Sequence, residues 1–289
     1  MITGTTKVCA LIGWPVEHSL SPPIHNAAFA AAGLDYVYIP LAVPPDALGA
    51  AVAGLRAAGL AGINVTVPHK VNIIPFLDGL DRSAEIVGAV NTVVFAAGRA
   101  IGHNTDQEGF VSSLAAAGVT IAGRRAVLLG AGGAARAVAW GFIEQGAAGV
   151  IVVARDAAKA AAFAASFPPG RVAGCGWRGE AFAAALGCCD ILVNCTPLGM
   201  SPHTDEEVPL DWAALCSGAA VCDLIYTPTA TRFLAHARER GHLTVGGEGM
   251  LIGQGAAAFT LWTGRDAPRE AMCAAFNEAL CRHETRNKN

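Results

Sequence analysis

The sequence predicts an α/β protein of two domains, and three observations support that fold class. Segments with the patterns of strands and helices alternate along the 289 residues, which is the order of a parallel α/β protein. Several predicted strands, such as residues 126–129, are apolar without interruption, which indicates a sheet covered on both faces. A glycine-rich turn at 130–135 follows that strand and opens a predicted helix. A chain of this length can form two separate cores.

The predicted elements fall into two groups that meet near residue 106. The first group has predicted strands at 8–12, 37–41, 63–67 and 91–95, and predicted helices at 22–32 and 46–58. A helix at 107–117 leads into the second group, with strands at 126–129, 150–153, 191–193 and 220–224 and helices at 134–145 and 157–166. The last segment, 250–282, has a mainly helical pattern and follows Gly246-Gly247. We therefore expect one domain from 1–106 with 248–289 and another from 107–247.

Composition excludes several classes of protein. Hydrophobic residues make up 53% of the chain and charged residues 15%, so a large core is expected and disorder is not. The net charge is −3 without a basic run, which argues against a nucleic-acid surface. The charge-free stretch 249–264, the best candidate for a membrane span, is too short to cross a membrane, and no basic leader is visible. We expect a cytoplasmic protein without a metal, since neither the nine cysteines nor the eight histidines have metal-ligand spacing.

Two segments place a lysine and an aspartate after predicted strands. An apolar strand pattern ends at Pro68, and Lys70 follows it. A second apolar run at 92–95 precedes Asp106. An ammonium group can donate a proton to a developing alkoxide, and a carboxylate can orient that ammonium. The two residues are therefore candidates for a carbonyl-reducing site, although a lysine at a strand end usually faces solvent.

The turn after the strand at 126–129 predicts a dinucleotide site. Gly130, Ala131, Gly132, Gly133 and Ala134, followed by a further alanine, match the pattern G-x-G-x-x-A. Glycines there permit a tight turn and a close approach of a pyrophosphate to the helix N-terminus, where free N–H groups favour anions.

The next predicted strand bears on the choice of nucleotide. It is followed by Ala154-Arg155 where an enzyme that uses NAD usually has an acidic residue for the ribose 2′-hydroxyl. Arg155, with Lys159 one helical turn further, suits a 2′-phosphate and favours NADP. Asp156 could instead accept from a ribose hydroxyl, or could simply cap the following helix. A solvated surface position for Arg155 also stays open.

The motifs together resemble the shikimate dehydrogenase family over essentially the whole chain. The segments that carry the resemblance are Gly13-Trp14-Pro15-Val16-Glu17-His18-Ser19-Leu20-Ser21-Pro22, Asn64-Val65-Thr66-Val67-Pro68-His69-Lys70, Gly88-Ala89-Val90-Asn91-Thr92, Asn104-Thr105-Asp106, Asn194-Cys195-Thr196-Pro197-Leu198-Gly199-Met200, Asp223-Leu224-Ile225-Tyr226-Thr227-Pro228 and Gly249-Met250-Leu251-Ile252-Gly253-Gln254. One block departs from the family pattern, since Ala154-Arg155-Asp156 stands where Asn-Arg-Thr is usual. That departure leaves use of NAD as a second cofactor open.

The resemblance implies a reversible, NADP-dependent reduction of 3-dehydroshikimate to shikimate, with an active-site cleft between a discontinuous substrate domain and a Rossmann-like cofactor domain. It implies that Lys70 and Asp106 are catalytic. The substrate contacts that it implies are Ser19, Ser21, Asn64, Thr66, Lys70, Asn91, Asp106, Tyr226 and Gln254. The cofactor contacts that it implies are Gly130, Ala131, Gly132, Gly133, Ala134, Ala154, Arg155, Lys159, Thr196, Leu224 and Gly247.

Several of these residues could instead have purely structural roles. Ser19 and Ser21 could cap the helix that begins near Pro22, and the hydroxyl of Tyr226 could lie at the surface. Gln254 could be an ordinary polar residue on a helix. His18, His25 and His69 are expected to pack or to form local hydrogen bonds, because no acid–base partner is evident.

Two other functions compete with the main one. The first is a quinate/shikimate dehydrogenase that uses NAD, although the presence of both Ser19 and Ser21 favours shikimate. The second is a sensor that binds metabolites of the shikimate pathway without turnover, against which Lys70, Asp106 and the intact glycine turn argue. We expect small-molecule substrates as the partners and a monomer or homodimer as the assembly.

Overall fold

The computed structural model describes residues 2–17 and 19–286, so His18 lies outside the described residues. The chain divides into two compact units, Met1–Asp106 with Ile252–Asn289, and Gln107–Leu251. Among the described residues there is no helix of the length and apolar character that a membrane crossing requires.

The first unit contains a six-stranded sheet with helices packed on it. Its elements up to residue 103 are β1 (Lys7–Gly13), α1 (Ser21–Ala31), β2 (Tyr36–Ala42), α2 (Leu48–Ala57), β3 (Gly62–Val65), α3 (His69–Asn72), β4 (Gly79–Leu80), α4 (Arg82–Val87), β5 (Thr92–Ala96) and β6 (Arg99–His103). The strand order is β2-β1-β3-β5-β6-β4. β1 runs parallel to β2 and β3, whereas β5 runs antiparallel to β3 and β6.

This mixed sheet corrects the expectation of parallel strands throughout. β5 and β6 form a hairpin whose turn residues, Ala97 and Gly98, have φ angles of 48° and 73°. Positive φ at both turn positions matches the twist of an antiparallel hairpin. The sequence pattern did not reveal β6, because its arginine, glycine and histidine do not read as a strand.

The strand predicted at 63–67 is also too long. β3 ends at Val65, and the next residues form a turn in which the Val67 carbonyl accepts from Trp14 N–H at 3.0 Å and the Thr66 carbonyl accepts from His69 N–H at 2.9 Å. Val67 is 69% exposed instead of buried. Pro68 cannot donate to a sheet, which is why the ladder stops before it. Lys70 therefore lies in the short helix α3 and not in a loop at the strand end.

The second unit is a doubly wound parallel sheet. Its elements are α5 (Asp106–Ala116), β7 (Arg125–Leu129), α6 (Gly133–Glu144), β8 (Gly149–Ala154), α7 (Ala157–Ala165), β9 (Val172–Gly176), α8 (Glu180–Gly187), β10 (Ile191–Asn194), β11 (Ala220–Asp223), α9 (Arg232–Glu239) and β12 (Thr244–Val245). The order is β12-β11-β10-β7-β8-β9, and the paired strands are parallel. The strand order reverses at β7, the position at which such sheets bind ligands.

The sheet of the second unit is covered on both faces, as the apolar strands predict. Leu128 belongs to the core on one face, whereas Val127 and Leu129 belong to the core on the other. The sequence prediction missed four elements of this unit, β9, α8, α9 and β12. The segment predicted as helical at 250–282 forms two helices, α10 (Glu248–Thr263) and α11 (Arg269–Arg286), with Gly264 at φ 67° between them.

The close packing around Gly62 leads to a prediction for the stability of the first unit. A Cβ at Gly62 would lie 2.1 Å from Trp262 Nε1 and 2.5 Å from the Val93 carbonyl oxygen, which itself accepts from Trp262 Nε1 at 3.1 Å. We expect Gly62→Ala to lower the free energy of unfolding by about 1–3 kcal/mol through overpacking. Gly54→Ala, within α2 and with nothing within 4 Å, should raise it by about 0.5–1 kcal/mol. Urea unfolding measures both, and equal effects would contradict this packing.

Candidate active site

The centre of the candidate site in the first unit is an ion pair. Lys70 Nζ lies 2.5 Å from Asp106 Oδ2, and the two side chains are 22% and 7% exposed. Lys70 is on the four-residue helix α3, whose start is fixed by the turn at Pro68. Asp106 is the first residue of α5, and its backbone N–H donates to Asn104 Oδ1 at 3.1 Å. Two residues 36 positions apart are thus brought together, as the resemblance implies.

Asn91 holds the carboxylate of this pair. Its Nδ2 donates to Asp106 Oδ1 at 2.8 Å and to Thr105 Oγ1 at 2.9 Å. Its Oδ1 accepts from the Thr105 backbone N–H at 2.8 Å. Gln254 on α10 completes the group, with its Oε1 3.5 Å from Asn91 Nδ2. Both oxygens of Asp106 therefore have donors, which offsets the cost of burying its charge.

Asn64 is connected to the same network from β3. Its Nδ2 donates to the Asn91 carbonyl oxygen at 3.2 Å and to Thr92 Oγ1 at 3.0 Å. Its Oδ1 accepts from the hydroxyl of Tyr38 at 2.8 Å. Burial raises the pKa of Tyr38 well above its ordinary value, so the hydroxyl keeps its proton and stays a donor.

His25 supports Tyr38 by stacking and does not titrate near neutral pH. Its ring lies 4.4 Å from the Tyr38 ring, centroid to centroid, with an interplanar angle of 11°. Burial lowers the pKa of His25 to about 3, and neither ring nitrogen has a hydrogen-bond partner among the described residues. His69 is also fully buried, with Nε2 2.7 Å from the Val43 carbonyl oxygen. Packing and local hydrogen bonding, as predicted, describe both histidines.

The two serines lie at the start of α1. The helix begins at Ser21 and its N-cap residue is Leu20, so the idea that Ser21 caps the helix is wrong. Ser19 Oγ instead accepts from the Ser21 backbone N–H at 3.2 Å. Thr66 lies against the end of β1, where a Cβ at Gly13 would approach Thr66 Cγ2 to 2.3 Å. Glycine is required at position 13 for this close approach.

The glycine turn of the second unit joins β7 to α6 through Gly130, Ala131 and Gly132, with Ala134 in the first turn of the helix. Gly130 has a φ of 110°, and a Cβ at Gly132 or Gly133 would meet nothing within 4 Å. No side chain caps the 12-residue helix α6, whose N-cap residue is Gly132. Its first N–H groups and the open space beside them fit a pyrophosphate.

Asn194 and Asp223 position Thr196, another predicted cofactor residue. Asn194 Oδ1 accepts from the backbone N–H of Thr196 at 3.0 Å and from its hydroxyl at 2.7 Å. Asn194 Nδ2 donates to Asp223 Oδ1 at 3.0 Å, and the hydroxyl of Thr231 donates to Asp223 Oδ2 at 2.7 Å. Thr196 lies against Gly130, because a Cβ there would be 3.0 Å from Thr196 Cγ2.

The residues after β11 include three predicted contacts. The backbone at Gly247 touches that of Leu224, since a Cβ at Gly247 would lie 2.3 Å from the Leu224 carbonyl oxygen. Tyr226, two residues beyond Leu224, is half-buried, and burial raises the pKa of its hydroxyl. Its hydroxyl is therefore a neutral hydrogen-bond donor at physiological pH.

A surface cavity of about 460 Å³ lies at the end of β8, where the predicted cofactor residue Ala154 is the last residue of the strand. The residues that line the cavity are Arg155, Gly176, Trp177, Arg178, Leu198 and Pro209. Asp156 caps α7, with Oδ1 accepting from the N–H groups of Ala158 at 2.8 Å and Lys159 at 3.4 Å. The capping role considered for Asp156 is thus confirmed, and Lys159 lies on the first turn of α7 with an exposed side chain.

Sequence reasoning assigned no individual role to Tyr38, Asn194, Asp223, Trp177 or Arg178. Asn194 and Asp223 lie inside blocks that carry the family resemblance, so their polarity at the ends of apolar strands was a usable signal. No comparable signal distinguishes Tyr38 from Tyr36, or Arg178 from other exposed arginines.

A doubly wound sheet with an uncapped glycine turn, together with a lysine–carboxylate pair, is typical of a nicotinamide-dependent oxidoreductase. Residues 11–93 match the family model of the shikimate dehydrogenase substrate binding domain, and residues 247–275 match that of the shikimate 5'-dehydrogenase C-terminal domain. The chain belongs to the shikimate dehydrogenase family, as its motifs predict.

Individual relatives resemble the chain over nearly its full length. It is 46% identical to shikimate dehydrogenase (NADP(+)) of Moorella thermoacetica, over 96% of this chain and 95% of the relative. It is 38% identical to a crystal structure of shikimate 5-dehydrogenase from Listeria monocytogenes in complex with shikimate and NAD, with a TM-score of 0.87 over 94% of this chain and 97% of that one. It is 36% identical to the enzyme of Thermus thermophilus in complex with NADP(H) and shikimate, with a TM-score of 0.86 over 95% of this chain and 100% of that one. These similarities confirm the predicted two-domain, Rossmann-like α/β fold class.

The hydrogen bond between Tyr38 and Asn64 yields a prediction for stability. Tyr38→Phe removes the donor to Asn64 Oδ1, so we expect the free energy of unfolding to fall by about 1–3 kcal/mol. Tyr36→Phe is the control, because its hydroxyl is half-buried and makes a longer bond, 3.4 Å to the Trp262 carbonyl oxygen. It should cost less than about 1 kcal/mol. Urea unfolding distinguishes the two variants. Equal losses would show that the hydrogen bond to Asn64 stabilises the protein no more than the longer bond of Tyr36 does.

The raised pKa of Asp223 makes the free energy of unfolding depend on pH. Burial raises its pKa from 3.8 to about 6, against the opposing effect of hydrogen bonds from Thr231, Ile225 and Asn194. The folded protein then binds this proton more tightly than the unfolded chain does. The stability from this proton is fully present below about pH 4 and is lost as the pH rises through about 6, by at most about 3 kcal/mol. Urea unfolding of the wild type and Asp223→Asn should show a stability difference that changes by that amount between pH 4 and 7. A constant difference would contradict the raised pKa.

Proposed function

We propose that the chain catalyses the reversible reduction of 3-dehydroshikimate to shikimate with NADP(H), a step of aromatic amino-acid biosynthesis. The observation that carries the proposal is the Lys70–Asp106 pair, with its 2.5 Å contact held by Asn91, in a chain whose curated relatives are named for NADP(+). Residues 1–106 with 248–289 serve as the substrate domain, and residues 107–247 as the cofactor domain.

Lys70 and Asp106 handle the proton. The nicotinamide, when bound, supplies or accepts the hydride at the reacting carbon. In the direction of reduction, the Lys70 ammonium stabilises the negative charge that develops on the carbonyl oxygen and donates a proton to it. Asp106 holds the ammonium in place through Oδ2, while Asn91 fixes the carboxylate through Oδ1. In the reverse direction Lys70 accepts the proton of the hydroxyl group.

The other polar residues bind and select the substrate. The hydroxyls of Ser19 and Ser21 hold the carboxylate of shikimate, and Tyr226 adds a neutral donor of the same kind. Asn64, Thr66, Asn91 and Gln254 read the ring hydroxyls, because a wrong substrate would leave these polar groups unpaired. Asn64 and Asn91 are held in fixed positions by hydrogen bonds to neighbouring residues.

The second unit holds the nucleotide. Gly130 to Ala134 and the start of α6 receive the pyrophosphate, while Thr196, Leu224 and Gly247 line the path toward the nicotinamide. Arg155 and Lys159 attract the 2′-phosphate of NADP. Asp156 does not weigh strongly against NADP, because its carboxylate caps α7. A location in the cytoplasm, and a monomer or homodimer as the assembly, stay predictions.

The test is turnover by the wild type and by two variants of the pair. Purified protein is given shikimate or quinate with NADP+ or NAD+, and reduced cofactor is followed by its absorbance. We expect the shikimate and NADP+ combination to be fastest. Lys70→Met and Asp106→Asn should lower kcat by about 10²–10⁴-fold, since each removes part of the acid–base group. Lys7→Met, at a lysine that lies over the Tyr36 ring, is the control and should match the wild type.

Each alternative predicts a different pattern. Preference for quinate and NAD+ would identify the quinate/shikimate enzyme. Tight binding of shikimate without turnover would identify a sensor. A Lys70→Met variant that keeps more than about a tenth of the wild-type kcat would remove Lys70 from the chemistry.

A further inference from the structure

The cavity after β8 is built from the ends of two neighbouring strands. In the register of the pair, Ala154 on β8 lies opposite Gly176 on β9. The next residue on one strand is Arg155, and the next two on the other are Trp177 and Arg178. The carboxyl ends of parallel strands point the same way, so all three side chains line one cavity of about 460 Å³.

The lining of this cavity is positively charged. It contains two arginines and no acidic residue. In the parts of the chain that the structure describes, neither Arg155 nor Arg178 has a side-chain hydrogen bond or ion pair. The nearest carboxylate in sequence, that of Asp156, accepts from N–H groups at the start of α7. Two free guanidinium groups beside a cavity are suited to bind a phosphate, with which they pair through charge-assisted hydrogen bonds.

Trp177 gives the cavity an aromatic wall. Its Nε1 donates to the Pro209 carbonyl oxygen at 3.1 Å, and its half-buried ring packs against the core of the second unit. Leu198 and Pro209 add apolar surface to the same lining. A fixed aromatic ring beside apolar side chains can stack with a purine base.

We propose that Arg178 is a further cation for the 2′-phosphate of NADP in this chain, beside Arg155 and Lys159, and that Trp177 is the wall against which the adenine lies. The proposal rests on the proposed function and deepens it. At the end of β8 this chain keeps only the arginine of the usual Asn-Arg-Thr pattern, since Ala154 has no side-chain amide and the Asp156 carboxylate caps a helix. Arg178, which follows β9, adds a cation to Arg155, which follows β8. The preference for NADP therefore depends on residues at the ends of two strands.

The test compares two nucleotides that differ only in the 2′-phosphate, adenosine 2′,5′-bisphosphate and adenosine 5′-monophosphate. Their Kd values are measured by calorimetry with the full chain and no substrate. We expect Arg178→Gln to weaken binding of the bisphosphate by about tenfold or more while the monophosphate changes by less than about twofold. Arg125→Gln is the matched control, because Arg125 is an exposed arginine at the opposite, amino end of β7 in the same sheet. It should leave both Kd values near those of the wild type.

Trp177 is tested with the same pair of nucleotides. Trp177→Ala should weaken both by a similar factor, since the adenine is common to them, and Trp177→Phe should retain most of the affinity. Thermal unfolding shows whether each variant is folded, and the phenylalanine variant keeps the test valid if the alanine variant is not. An unchanged Kd for the monophosphate in a folded alanine variant, or an equally large loss in the phenylalanine variant, would overturn the role of Trp177.

Failure of this inference is distinct from failure of the proposed function. If the wild type prefers the bisphosphate but Arg178→Gln keeps that preference, or if Arg125→Gln loses it equally, the role of Arg178 is overturned. If the wild type binds both nucleotides with the same affinity and does not oxidise shikimate with NADP+, the proposed function itself fails.

Discussion

The Lys70–Asp106 ion pair is the constraint on which the rest of the first unit depends. A carboxylate that is only 7% exposed is costly unless both of its oxygens have partners, and Lys70 and Asn91 supply them. This requirement explains the local structure around the pair. The turn at Pro68 places Lys70 on a short helix, and Asn104 fixes the start of the helix that carries Asp106. Loss of the Lys70 charge would leave Oδ2 of the buried Asp106 carboxylate without this donor, while Asn91 would still donate to Oδ1.

Asparagines connect strand ends to charged groups in both units. Asn91 donates to Asp106 and accepts from the backbone of Thr105, and Asn194 donates to Asp223 and accepts from Thr196. A side-chain amide can serve as donor and acceptor at once, which a carboxylate or an ammonium cannot. Each amide therefore links two chain segments near the end of a strand and fixes the orientation of the residues beside it. A side chain held by several hydrogen bonds has little conformational freedom left to lose when a ligand binds, which lowers the cost of binding.

Features of the fold and site that depend on local sequence patterns or on recognisable motifs could be predicted from the sequence. The apolar strands of the second unit, the turn that begins at Gly130 and the proximity of Lys70 to Asp106 follow from such signals. The hairpin strand β6 does not, because pairing with β5 stabilises a segment with little strand propensity of its own. The contact of Tyr38 with Asn64 joins β2 to β3, and the cavity at Trp177 joins β8 to the edge strand β9. Tertiary pairing creates these features, and no single segment encodes them.

A crystal structure of the protein with shikimate and NADP+ tests the central claim most directly. We expect one ring hydroxyl of shikimate to lie within hydrogen-bonding distance of both Lys70 Nζ and the Asp106 carboxylate, with the substrate carboxylate at Ser19 and Ser21. The contact between Asn91 and Asp106 should be retained, because Asn91 donates to Oδ1 of Asp106 and Lys70 to Oδ2. Shikimate bound away from Lys70, or an Asp106 side chain turned from the lysine toward another partner, would contradict this account of the site.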